Sequence, residues 1–129
     1  MSIEFSLAVP TLVTKDLEAT QVFYRDQLGF MVNYAEESGL FCSFRRGEAF
    51  AHFAVSDLEP RPNRGGWQEW VTPADVSFFV DNVRALYEEY VGRGVAIHSE
   101  PTERPYGIVD MDVLDVHDYV LRFNEALEH

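Results

Sequence analysis

The stretch "DVLDVHDYVLRF" sets Asp112, Asp115, His117 and Asp118 close together, with Asp110 just before them. Carboxylates and an imidazole at such spacing are the raw material of a metal site or of general acid–base chemistry. The stretch lies between two alternating runs, "IVDMDVL" and "YVLRF", whose pattern favours pairing as a hairpin. Asp and His suit the bend, because an Asp side chain can bond its own backbone there. In the leading strand Asp110 and Asp112 share a face, whereas Asp115 and His117 fall at or beyond its end. These carboxylates do not converge, and the stretch reads as an acidic turn.

Other chemistry-bearing groups are weaker. His98, Glu100 and Glu103 could ligate, but they precede "PTERPYG" in what reads as an edge strand and loop, where solvated charge is expected. No serine sits in a nucleophile elbow with a partner histidine. Gly65-Gly66 lacks the strand before and helix after that a phosphate-binding loop requires. What remains is aromatic surface. Strand alternation puts Phe50, His52 and Ala54 on one face, and Asp75, Ser77 and Phe79 on one face of another strand. Trp67 and Trp70 stand in "LEPRPNRGGWQEWVTP", a Pro-, Gly- and Arg-containing segment that reads as a linker. A plain linker does not need two tryptophans.

The elements that must position these groups follow from periodicity. In "KDLEATQVFYRDQLGF", Leu17, Thr20, Phe23, Tyr24 and Leu28 share a helical face, with Asp16 to cap the start and Gly29 the end. In "DNVRALYEEYVGRGV" the pattern recurs through Val83, Leu86, Tyr87, Tyr90 and Val91, with Asp81 as cap and Gly94 as stop. Strands are expected over 5–14, 31–37, 40–46 and 49–56, and again over 75–81, 95–100, 108–115 and 119–125. Strand, helix and three strands therefore occur twice, an internal repeat of about 65 residues carried by pattern rather than identity.

Composition bounds the function. The 129 residues fit one domain, and 47% hydrophobic content is enough to bury a core. Ten basic against 22 acidic residues leave a formal charge of −12, which disfavours nucleic acid and anionic membranes as partners. Cys42 is the only cysteine, so no intrachain disulfide or cysteine-based zinc site is available, and a cytoplasmic location is expected. No apolar run approaches the length of a membrane span. The start lacks the pattern of a signal peptide, and residues 127–129 look like a tag remnant.

The repeated unit, headed by "VPTLVTKDLEATQVFYRDQLGF" and closed by "PYGIVDMDVLDVHDYVLRF", resembles the glyoxalase, bleomycin-resistance and extradiol-dioxygenase superfamily, nearest in appearance to its bleomycin-resistance branch. That family's closing turn usually reads Asp-Pro-Asp-Gly. Here it reads Asp115-Val116-His117-Asp118, so a wider turn is expected. The resemblance implies an α+β fold of two tandem βαβββ modules forming curved sheets around a cavity: residues 1–57, an aromatic linker 58–73, and residues 74–126. It also implies a homodimer, often intertwined, with the cavity at the interface.

Metal-dependent members carry ligands at positions that fall here on Val9, His52, Asp75 and Arg122. Val9 has no donor atom, and Arg122 is a permanent cation. His52 and Asp75 alone are too few for a dedicated zinc or iron site, although Glu48 or Asp110 would be an unconventional third ligand. If the first and fourth strands pair as the family implies, Asp75 lies across from Arg122, and an ion pair between them is expected. No metal, cofactor or catalytic residue is expected. The function implied is metal-independent binding of a planar or cationic small molecule by Phe50, His52, Trp67, Trp70, Asp75, Tyr106 and Arg122. The alternative is a metal-dependent lyase, isomerase or dioxygenase of the same superfamily, which would need a further ligand. A third reading is a module whose cavity has closed, leaving a dimerisation or regulatory role.

Overall fold

The computed structural model describes residues 2–62 and 73–127. It contains β1 (Thr11–Thr14), α1 (Leu17–Asp26), β2 (Met31–Ala35), β3 (Phe41–Arg46) and β4 (Ala49–Val55). The same order then returns as β5 (Val76–Phe79), α2 (Val83–Gly92), β6 (Ala96–Arg104), β7 (Ile108–Leu114) and β8 (Val120–Ala126). Each module is a four-stranded sheet, ordered β1-β4-β3-β2 in the first and β5-β8-β7-β6 in the second, with β1 parallel to β4 and β5 parallel to β8. The fold is α+β, built from two tandem βαβββ modules.

The helices start where a short polar side chain can take an orphan amide. Asp16 caps α1 by accepting from Ala19 N–H at 3.0 Å. In α2 the cap is Asn82 rather than the expected Asp81, accepting from Ala85 N–H at 2.9 Å. Both residue types cap well, and the extended backbone at Asn82 places its oxygen over the first turn. Gly94, with φ of 77°, ends α2 in the left-handed conformation that favours glycine.

Two strands depart from expectation. Pairing in the first begins only at Thr11, and residues 2–10 carry no regular element, leaving Ile3, Phe5 and Leu7 exposed. In the second module β6 runs on to Arg104 through Pro101. An edge strand tolerates proline because one side needs no amide donor, and the register is irregular on either side of Ser99.

One hydrophobic core joins the modules. Each sheet turns its helix-bearing face inward, so that Phe44 and Phe53 of the first share one buried cluster with Phe78 and Phe123 of the second, together with Tyr24 and Tyr90. Phe30 lies 5.8 Å from Phe78, and Tyr90 donates its hydroxyl hydrogen to Leu28 O at 2.9 Å. Burial of each such ring contributes roughly 1.5–3 kcal/mol. The opposite, open faces of both sheets are turned away from this core.

The acidic stretch near the C-terminus is the clasp of this packing. The bend between β7 and β8 closes through Asp118 N–H donating to Asp115 O at 3.0 Å, with Asp118 itself left-handed at φ of 65°. Asp115 is buried and accepts from the Tyr24 hydroxyl at 2.8 Å and from the amides of His117 and Tyr119 at 2.8 and 3.0 Å. Burial pushes its carboxyl above the usual range, and those hydrogen bonds pull in the other direction. Beside it His117 Nε2 lies 2.8 Å from Thr20 Oγ1, which in turn meets Thr14 Oγ1 at 3.0 Å. Asp115 and His117, two of the residues that looked like a metal cluster, hold the second module to the first.

Candidate functional site

The open face of the second sheet is polar and charge-matched. Alternation along β7 sends Asp110 and Asp112 to that face, and the flanking strands answer each with an arginine. Arg122 of β8 donates to Asp112 twice, Nε to Oδ1 at 2.8 Å and Nη2 to Oδ2 at 2.9 Å. Arg104 of β6 donates to Asp110 through Nε at 3.1 Å. Both carboxylates are only 2% exposed, which makes these pairs part of the sheet rather than surface decoration. The Asp112 bond holds the Arg122 guanidinium charged well into the alkaline range. Asn124 adds a donor to Ser77 Oγ at 2.7 Å on the same face.

The expected ion pair between Asp75 and Arg122 is not formed. The parallel register sets Ser77, not Asp75, beside Arg122. Asp75 sits one step before β5, where its amide donates to Val120 O at 2.9 Å and its Oδ2 accepts from Val120 N–H at 2.7 Å. Arg122 takes its carboxylate from the antiparallel neighbour β7, where Asp112 lies directly opposite. Alternation puts Asp110 and Asp112 on one face without choosing between them. The register that selects Asp112 is a property of the sheet.

The open face of the first sheet is aromatic. His52 on β4 meets the edge of Phe41 with centroids 5.1 Å apart, and Tyr34 approaches Phe41 at 6.5 Å. Arg45 lies over the Phe50 ring at 5.7 Å, within reach of a cation–π contact. Met31 and Tyr34 on the edge strand are 58% and 55% exposed. Phe50, His52 and Ala54 do share this face, as their alternation required.

Of the expected site residues, Phe50 and His52 thus lie on the first open face, and Asp75 and Arg122 on the second. Tyr106 stands in the turn between β6 and β7 and is half exposed. Trp67 and Trp70 lie outside the described residues. Among the described residues these groups divide between the two sheet faces and the β6–β7 turn.

The sequence profile of the glyoxalase/bleomycin resistance protein/dioxygenase superfamily matches residues 6–118. The chain belongs to this superfamily. No curated protein matches it by sequence. Among solved structures, the bleomycin-binding protein of bleomycin-producing Streptomyces verticillus, complexed with copper(II)-bleomycin, superposes with a TM-score of 0.72 at 24% identity, covering 98% of this chain and 100% of that one. A glyoxalase-related enzyme from Clostridium phytofermentans superposes with a TM-score of 0.75 at 16% identity, covering 97% and 98%. A glyoxalase family protein from Bacillus anthracis gives 0.74 at 16%, covering 98% of each chain. At these identities the likeness is one of fold.

The superfamily's metal-ligand positions do not fit a metal here. Val9 offers no donor, the Arg122 guanidinium is bound to Asp112, and one Asp75 oxygen is engaged by the Val120 amide. His52 and Asp75 stand on different sheets, and among the described residues no three His, Cys, Asp or Glu side chains gather to hold an ion. Among the described residues no helix is long and apolar enough to cross a membrane.

Proposed function

We propose that the protein is a metal-independent binder of a small planar or cationic molecule, with two copies assembling to hold it. The observation that carries this reading is the direction of the open faces. Each is a single wall: one aromatic around Phe41 and His52, the other polar around Arg122 and Asn124. A twofold partner would set the first sheet of one chain against the second sheet of the other, twice over. That arrangement brings Phe50 and His52 to Asp75, Tyr106 and Arg122 around an apolar pocket with a few polar anchors, the usual form of a small-molecule site. Exposed Met31 and Tyr34, with Ile3 and Phe5 on the N-terminal segment, are apolar surface that such assembly would cover.

Trp67 and Trp70 are proposed to stack on the ligand from the segment between the modules. The Streptomyces verticillus neighbour is a bleomycin-binding protein complexed with copper(II)-bleomycin, and sequestration of such a molecule in the cytoplasm is the role proposed for this chain. Sedimentation velocity combined with a bleomycin titration tests the assembly. The reading expects a dimer that takes two ligands; a monomer that binds with the same affinity would remove the shared site.

A further inference from the structure

A groove of about 850 Å³ runs between the two modules, apart from the aromatic patch around His52. Phe30, Phe78 and Phe123 line it, with Phe78 stacked on Phe123 at 5.4 Å. Phe50 and the 66%-exposed Phe79 supply further aromatic wall. The ionisable side chains along it are Arg46 and Tyr90 together with Glu48, Asp81 and Glu89. Arg46 is engaged by Glu89 through two bonds of 2.7 and 2.9 Å, and Glu89 is shared with Arg93 at 3.3 Å, so this cluster carries one net positive charge against the two negative ones of Glu48 and Asp81. Tyr90 is buried and stays neutral, its hydroxyl bound to Leu28 O. Glu48 and Asp81 remain, both exposed and neither in an ion pair with a described residue.

The start of α2 also opens on this groove through Asn82 and Ala85. A helix N-terminus ordinarily draws an anion. Here two of its first amides are engaged: Asn82 accepts from Ala85 N–H, and Glu125 Oε1 accepts from Val83 N–H at 2.9 Å. An incoming anion would also meet the carboxylates of Glu125, Asp81 and Glu48. Aromatic faces attract cations, and the net charge of −12 adds a long-range field of the same sign preference.

We propose that this groove binds one small aromatic cation, with its ring on the phenylalanine wall and its charge toward Glu48 and Asp81. The site shares Phe50 with the open-face site proposed above but not His52, Tyr106 or Arg122, so shifts at Asp81 and Ala85 report on this groove alone. The test uses the full chain and three probes of one shape: 1-methylquinolinium, uncharged 1-methylnaphthalene and anionic 1-naphthoate, followed by amide chemical shifts. The cation is expected to saturate one site per chain, to shift Phe79, Asp81 and Ala85, and to bind about tenfold more tightly than the neutral probe. The double variant Glu48→Gln, Asp81→Asn should bring the cation down to the neutral probe's affinity and leave the neutral probe unchanged. Phe79→Ala should weaken both. Equal affinity for cation and neutral probe would overturn the proposal, as would a double variant that binds the cation unchanged. Shifts centred on His52 and Phe41 would place the cation elsewhere. Cation binding that disappears as the chain self-associates would show a second copy filling the groove, and would also overturn it.

Discussion

Asp112 and Arg122 face each other across β7 and β8 and form a two-pronged ion pair, 2.8 and 2.9 Å, at the position where the resemblance implies a ligand in metal-dependent members. The guanidinium therefore closes that position with protein charge. Removing it leaves a nearly buried carboxylate without its cation. Arg122→Ala is expected to cost about 3 kcal/mol in a urea denaturation series. Asp112→Ala, which leaves the more accessible guanidinium, should cost less. Equal and small losses in both variants would mean that the pair is solvated.

The clasp residue Asp115 gives a pH signature with a defined sign. Burial raises its carboxyl in the folded chain, so the folded state binds the proton more tightly than the unfolded one. Its contribution to stability is then fully present below the ordinary carboxylate pKa and is lost as pH rises through the raised value. Wild type should gain on Asp115→Asn as pH falls from neutrality toward about 4, and the difference should level off below that. Paired urea midpoints across this range measure it. A difference that moves the other way would mean that the Tyr24, His117 and Tyr119 hydrogen bonds outweigh desolvation.

Gly29 has φ of 75°, and a Cβ added there would lie 2.8 Å from Arg46 Nη1. Gly29→Ala should cost about 1–2 kcal/mol from backbone strain alone. It should also displace the guanidinium that bridges to Glu89, so Arg46→Ala on the alanine background should cost less than on wild type. Thermal melts of the four proteins provide the cycle.

Trp67→Ala and Trp70→Ala are expected to weaken ligand binding by about 1 kcal/mol per ring while leaving stability unchanged. Ligand-dependent quenching of intrinsic fluorescence should vanish in the double variant. Unfolding of either variant would make these rings structural.

The elements were legible in the sequence because their signals are local. Helical periodicity through Tyr24 and Tyr90, alternation through Phe50 and His52, and turn chemistry at Asp115 and Asp118 each depend on a few neighbouring residues. The repeat followed from their order. The partner of Arg122 was not legible, because it depends on which of two flanking strands lies in register with it. The cap of α2 is hidden for a similar reason: Asp81 and Asn82 both suit the role, and the extended backbone at Asn82 decides. The direction of the open faces was hidden as well. It is set by contacts between modules, such as Phe30 with Phe78 and Tyr24 with Asp115, which no single segment announces.

The central claim is that a small molecule is held on the aromatic open face without a metal. The most direct measurement is a titration of chelator-treated protein with bleomycin, following the ring resonances of His52 and Phe41. The account predicts saturable shifts at both rings, unchanged when zinc, nickel, manganese or iron is added. His52→Ala should lower the affinity about tenfold, the equivalent of about 1.4 kcal/mol. Absence of saturable shifts at both rings, or shifts that develop only with added metal and vanish with chelator, would contradict it.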